Sequence, residues 1–421
     1  PNIHPMARAS LRAAATLREL AASQACGAAV VLRAGDHSFS RPRVLDMLGE
    51  LSAARAARTT QSAVLMGTDG AEHGSLGSNM AKVARMDAAA RAKHFQELAN
   101  LMRSLGTLSD GGGWAPAVVA LDGVLCGSAV GAALHAPFFV ATERTRLCLP
   151  GPSHGCPPES LASHRLARLP HALGRYLALT GAALTGPECY ALGLATHLCE
   201  AHALPQLADA LGEGFSDGGE GGAAAGGEGE RRLLWRVSRR LSDACVELPP
   251  LGGWGEEHAL YYAPQVEAAF SRGSLPEVMR ALEEGGTEWH QAALEVLREA
   301  SPLALSLTFA QLRAAEETDC WAAAARAEAE SCAAAAATAD FRAGAGLLHR
   351  SKVELLQAVE TEARRRHETR AVGEIARRAA ARAAREEARG PPVPPAPPAW
   401  EHGSVEEVED EAVARLVTPL F

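Results

Sequence analysis

The sequence has no apolar run of membrane-spanning length, no Cys-x-x-Cys pair and no His-Glu-x-x-His motif. Its longest apolar stretches, such as 115–121 and 136–141, are strand-length and fall far short of the ~20 residues a spanning helix needs. No membrane span is expected. The nine cysteines, from Cys26 to Cys332, are therefore read as reduced thiols of an intracellular compartment, and no metal site is expected. Neither Ser75 nor Ser128 stands in a Gly-x-Ser-x-Gly elbow, so both are read as structural.

What is present is enough for one sizeable core and an accessory domain: 421 residues, 47% of them hydrophobic. Short apolar runs at 28–33 and 62–67, bounded by Gly and Asp, read as buried strands. Between them Val44, Leu45, Leu48 and Leu51 recur at helical spacing. Phe95, Leu98, Met102 and Leu105 repeat the pattern in a second helix. The stretch 212–230 is dominated by Gly, Glu and Ala, has too few apolar groups to offset chain entropy, and reads as a flexible surface loop. Helical patterning resumes at Leu233, and Pro302 opens a long helical region through Ala337.

A series of motifs carries a resemblance. Val118 to Gly131 (VVALDGVLCGSAVG) is an apolar strand running into a small-residue loop and a helix. It is followed without a gap by Phe139–Glu143 (FVATE), Leu149-Pro150, Leu177–Gly181 (LALTG) and Gly193–His197 (GLATH). Weaker matches lie at 41–45, 301–305, 340–344 and 398–400. The series resembles the 3-hydroxyisobutyryl-CoA hydrolase branch of the crotonase (enoyl-CoA hydratase/isomerase) superfamily. The resemblance implies an α/β fold: a crotonase-like spiral of ββα repeats with a C-terminal helical domain. The expected organisation is an N-terminal extension at 1–26, the core at 27–211, the Gly-rich insertion at 212–230, the helical domain at 231–350, an inserted basic helix at 351–390, and a Pro-rich spacer with an acidic end at 391–421.

Crotonase-type enzymes hold a thioester carbonyl between two backbone N–H donors, which stabilise the developing oxyanion. By the resemblance Leu76 stands at the first donor and Ser128 at the second, where the family uses glycine-rich loops. Backbone donors survive a change of side chain, but the larger residues crowd the approach of a ligand. The hydrolases also carry a Pro-Glu pair and, eight residues after the Glu, an Asp. The matching positions here are Gly151 and Glu159. Loss of a general base forfeits roughly 10²–10⁴-fold in rate. Glu159 keeps the charge but is one methylene longer. His154, three residues beyond Gly151, titrates near neutrality and is a candidate substitute base, with a structural or surface role as the alternative. Leu76, Ser128, Gly151 and Glu159 are thus expected to be vestigial, with no cofactor; a coenzyme A thioester enters only if hydrolase chemistry survives.

The insertion at 351–390 holds ten basic and seven acidic residues in a chain of formal charge −9. Glu360/Arg364, Glu362/Arg366 and Glu374/Arg378 are i,i+4 pairs in the favourable order, each worth about 0.2–0.5 kcal/mol to a helix. A helix of this length would reach more than ~50 Å. Arg364, Arg365, Arg366, Arg370, Arg377, Arg378, Arg382 and Arg385 offer forked donors to phosphates, with no aromatic between them. Structured RNA suits such an arm; a solvated, salt-bridged helix without a partner is the plainer alternative. At the start, Arg8, Arg12 and Arg18 stand against Glu19 in an Ala- and Ser-containing stretch, which suits either an organellar targeting segment or an ordinary Ala-rich helix. The first residue is Pro1, so a processed or incomplete chain is expected.

Two functions follow. One is an active acyl-CoA hydrolase of mitochondrial valine breakdown. The other, favoured by Gly151 and by the basic insertion, is a noncatalytic component of the mitochondrial small ribosomal subunit, since the hydrolase branch includes such a member. The expected partners are then ribosomal RNA and ribosomal proteins in the mitochondrial matrix, and not DNA.

Overall fold

A computed structural model describes residues 29–33, 39–56, 62–66, 75, 77–106, 115–213, 227–245, 255 and 258–347. The N-terminal extension, Leu76, the arginines from Arg364 to Arg385 and the segment 391–421 lie outside the described residues. The first elements are β1 (Ala29–Arg33), α1 (Arg41–Ala56), β2 (Ser62–Met66), α2 (Met80–Val83), α3 (Ala88–Gly106), β3 (Ala117–Ala120), β4 (Val124–Cys126), α4 (Ser128–His135), β5 (Phe138–Thr142) and β6 (Arg146–Cys148). They are followed by α5 (Ala162–Leu166), α6 (Leu173–Thr180), β7 (Leu184–Thr185), α7 (Gly186–Ala191), β8 (His197–Cys199), α8 (Leu204–Gly212) and α9 (Gly227–Ala244). The remainder is helical: α10 (Ala263–Phe270), α11 (Leu275–Gly285), α12 (Glu288–Glu299), α13 (Pro302–Glu317) and α14 (Trp321–Ala335).

Five strands form a parallel sheet in the order β1-β2-β3-β5-β8, and β4, β6 and β7 form a second, smaller sheet. The continuous apolar runs of β3 and β5 follow from burial on both faces. Ala117, Val119, Phe139 and Ala141 point into the main core with α1, α3, α4 and α14, whereas Val118, Ala120, Phe138 and Val140 pack against α8 and α9. One apolar stretch thereby serves two layers, with a side-chain period of two.

The sequence-based reading of α3 holds, because Phe95, Leu98, Met102 and Leu105 are all buried. In α1 the buried face is rotated from the expected one: Val44, Met47 and Leu51 are inside and Leu45 is 44% exposed. The stretch expected to be a loop at 212–230 contributes structure at both ends. Gly212 closes α8, and α9 begins at Gly227. The anchor of α9 lies further along, at Val237 and Leu241, which are buried against the outer face of the main sheet. That packing carries the helix back through residues of poor propensity. It also attaches α9, assigned above to the C-terminal helices, to the core.

The region from Pro302 to Ala337 is two helices, α13 and α14, parted at 318–320. The sequence starts α13 with Ser301, whose hydroxyl accepts from the Ala304 N–H before Pro302 enters the first turn. Thr287 and Ser274 cap α12 and α11 in the same way. A third apolar cluster, with Val266, Phe270, Val278, Leu282 and Leu297 at its centre, joins α10–α12 to Leu305 and Phe309 of α13. No helix among the described residues is long and apolar enough to cross a membrane.

Candidate functional site at the ends of β4 and β6

The parallel register of β4 and β6 places Cys126 beside Cys148, so the two strands end together. Gly127-Ser128 and Leu149-Pro150-Gly151 therefore emerge side by side. A third segment joins them from the N-terminal half. The Cys126 N–H donates to the Ser75 carbonyl at 3.0 Å, and Gly77 packs so closely that a Cβ there would stand 2.4 Å from the Cys126 oxygen and 2.6 Å from the Ser128 nitrogen. Gly77 also has φ +67°, so glycine is required here twice over. Leu76 itself lies outside the described residues.

The loop after β6 turns through a short 3₁₀ segment, Pro152–His154, for which Gly151 is the N-cap. The Gly151 carbonyl accepts from both His154 and Cys156 N–H groups, at 2.8 and 2.9 Å. This closes the loop over the face where a side chain would start: a Cβ on Gly151 would meet the Cys156 carbonyl oxygen at 2.3 Å. A glutamate cannot simply be restored at 151 without moving that backbone. The His154 ring is turned to the Pro150 carbonyl, 3.1 Å from Nδ1, and so forms part of the loop's own framework.

Glu159 is brought to Ser128 by the chain between Cys156 and Leu161, where Ser160 and Leu161 both adopt positive φ, 62° and 58°. The Glu159 carboxylate is 2% exposed. Its Oε1 accepts from the Ser128 N–H at 3.0 Å and from the Ser128 hydroxyl at 2.8 Å. Since Ser128 opens α4, the carboxylate sits at a helix N-terminus and satisfies an N–H that has no partner within the helix. The Ser128 hydroxyl stands 2.7 Å from that of Ser78, accepts from the Ser78 N–H at 3.2 Å, and is linked through Ser78 to His94 Nε2 at 3.3 Å. Burial lowers the pKa of His94 to about 4, with Glu97 opposing the shift and Arg41 adding to it, so the ring is neutral at pH 7.

Of the residues singled out from sequence, Ser128, Gly151 and Glu159 thus converge. Gly127, Gly151 and Glu159 line one cavity of about 20 Å³ with Met80, Leu149 and Pro157. That is room for a water molecule rather than a thioester. Two features escaped the reading of the sequence. Gly151-Pro152-Ser153-His154-Gly155 has the Gly-x-Ser-x-Gly pattern, but Ser153 lies in the 3₁₀ turn and not between a strand and a helix, as the elbow requires. The other is Glu328 of α14. It is buried, accepts from the Leu161 N–H and the Ser163 hydroxyl, and is pushed up to about 7 chiefly by burial. Among the described residues no group of three or more His, Cys, Asp or Glu is placed to hold a metal ion.

Parallel strands wrapped by helices, with small-residue loops meeting at the ends of β4 and β6, define a crotonase-like α/β protein. Residues 37–352 match the enoyl-CoA hydratase/isomerase family, and the chain belongs to that family. Its fold is similar to a carnitinyl-CoA dehydratase of Mycobacterium thermoresistibile, with TM-score 0.68 and 18% identity over 92% of this chain and 93% of that one. Among curated proteins it is similar to the small ribosomal subunit protein mS47 of Arabidopsis thaliana, 31% identical over 47% of this chain and 45% of the relative. It is also similar to the mitochondrial 3-hydroxyisobutyryl-CoA hydrolase of Gallus gallus, 28% identical over 52% of each. The chain spans about half the length of the curated relatives it matches.

Proposed function

We propose that this chain is a noncatalytic member of its family and serves as a structural component of the small ribosomal subunit of mitochondria, in the matrix. One observation carries the reading: the Ser128 N–H, which stands at the family's second oxyanion position by resemblance, is held by the chain's own Glu159. A donor bound to a carboxylate does not receive a developing oxyanion, and stabilisation of that charge is usually the largest catalytic contribution of such a site. The carboxylate in turn accepts from two donors of Ser128 through Oε1. Gly151 leaves the remaining catalytic position without a side chain, and the closed loop around it matches that loss. Ribosomal RNA and ribosomal proteins are the partners this reading implies, supported by the likeness to a small-subunit protein. The hydrolase relative supports the mitochondrial setting.

The alternative is a working acyl-CoA hydrolase, which family membership favours. It requires the Glu159–Ser128 pair to open and a coenzyme A thioester to enter. Purified full-length chain incubated with 3-hydroxyisobutyryl-CoA is expected to release free thiol no faster than a heat-killed control, while the endogenous protein sediments with the mitochondrial small subunit at high salt. Saturable thioester turnover, or absence from the particle, would overturn the proposal.

A further inference from the structure

The outer face of α9 combines exposed arginines with an exposed tryptophan. Between Arg231 and Ser242 the helix carries five arginines, Arg231, Arg232, Arg236, Arg239 and Arg240, and no acidic residue, in a chain whose formal charge is −9. Arg231, Arg232 and Arg239 are exposed. Among them Trp235 is 58% exposed, the largest exposure of any big apolar side chain described. The guanidinium of Arg239, one turn along, lies over the indole at 5.4 Å from the ring centroid. Arg240, at the edge of the face, is 3.6 Å from Glu213.

We infer that this face binds single-stranded RNA, with an unpaired base on the indole of Trp235 and phosphates on the arginines beside it. The inference rests on the ribosomal reading for its choice of RNA as the polyanion, and names a contact surface that the basic insertion does not include. Three features favour RNA over other partners. Arginine forks match phosphate oxygens, and five arginines against Glu228, Glu230 and Asp243 leave α9 net positive on an acidic chain, which favours an anionic partner. An exposed indole next to such arginines is a stacking platform, the device by which unpaired bases are held irrespective of sequence. A basic helix with tryptophan would also suit a membrane surface, but there the apolar stripe enters the lipid. Here Val237 and Leu241 are buried, Leu233 and Leu234 pack on the same cluster, and the stripe is committed to the core.

The test is binding of the full-length chain to a short single-stranded RNA of mixed sequence, followed by fluorescence anisotropy over a series of salt concentrations. Trp235→Ala is expected to weaken binding on the order of tenfold, the usual worth of one stacked base, with the salt dependence nearly unchanged. The triple variant Arg231→Ala, Arg232→Ala, Arg239→Ala is expected to lower the log–log salt slope by about two, at ~0.7 for each phosphate contact on a single strand. Both variants should unfold thermally as the parent does. If both bind RNA as tightly as the parent while the parent sediments with the small subunit, the inference falls and the ribosomal reading stands. If the parent binds neither RNA nor the particle, both fall. Capture of the parent by vesicles of phosphatidylcholine and cardiolipin, or by poly-glutamate, in preference to RNA would overturn the inference in favour of a lipid or protein partner.

Discussion

The loops around Ser128 and the outer face of α9 hold their polar groups in opposite ways. Around Ser128 the polar side chains bond to one another within the chain: Glu159 to Ser128, Ser128 to Ser78, Ser78 to His94. On α9 Arg231, Arg232, Arg239 and the indole of Trp235 are exposed. In the first arrangement buried polar side chains bond to one another; in the second, charged and aromatic side chains stand exposed. Substitutions at the first site should therefore cost stability, and substitutions at the second should cost binding alone.

The largest effect sets the scale for the interior. Leu121 is fully buried directly after β3, in the cluster that includes Leu125 and Ala129. Leu121→Ala is expected to destabilise the fold by about 2–5 kcal/mol through lost transfer energy and a cavity. Denaturant unfolding measures it. A change of only a few tenths would mean that the loops at the strand ends have room to collapse, which breaks the contrast between a packed interior and an exposed outer face.

Glu328 sharpens the same contrast through pH. Its carboxyl is raised from an ordinary 4.5 to about 7, with burial the largest cause and neighbouring Glu159 adding to it. Between these values the folded state keeps the proton and the unfolded state releases it. Stability from this group is therefore greatest below about 4.5 and declines as pH rises to about 7, a span worth on the order of 3 kcal/mol. Glu328→Gln should remove that decline and leave the protein more stable than the parent at pH 8. Buried His94 works in the opposite sense, since its lowered pKa removes stability as pH falls from 6.5 towards about 4, so the comparison must be made between variants at each pH. An unchanged pH profile in the Gln variant would show that Glu328 is ionised and paired at neutrality.

Much of this body was legible in the sequence. The runs that became β1, β2, β3 and β5 are short and apolar and bounded by turn residues, and the buried stripe of α3 follows its 3.6-residue period. Period alone misplaced α1, because Leu45 and Met47 are equally apolar and only the direction of neighbouring helices decides which is buried. The convergence of Ser128 with Gly151 could be anticipated from the family motifs. The hydrogen bond from Ser128 to Glu159 could not, since it spans 31 residues and depends on positive φ at Ser160 and Leu161, a conformation neither residue type advertises. Trp235 was hidden for a related reason: an aromatic at helical spacing among leucines looks like core until the packing of Val237 and Leu241 fixes which way the helix faces.

The finest test is Ser128→Val, which replaces the hydroxyl by a methyl group and adds a second one. If the loop were an empty ligand site, a methyl group would be accommodated without consequence. The hydroxyl instead donates to Glu159 at 2.8 Å and accepts from the Ser78 N–H at 3.2 Å, in surroundings with no exposure at Ser128. Valine would leave a buried N–H without its acceptor and the carboxylate with one donor fewer, and each buried polar group so deprived costs about 1–3 kcal/mol. The backbone N–H of residue 128 remains to hold Glu159, so the polar part of the loss should sit towards the lower end, while the second methyl group adds overpacking of about 1–3 kcal/mol. The double variant Ser128→Val, Glu159→Gln should recover part of it, because a neutral amide is cheaper to leave with a single donor than a carboxylate. Thermal unfolding of the two variants beside the parent decides the matter. A Val variant as stable as the parent would mean that the hydroxyl network contributes nothing to the fold, and the internal role assigned to these loops would go with it.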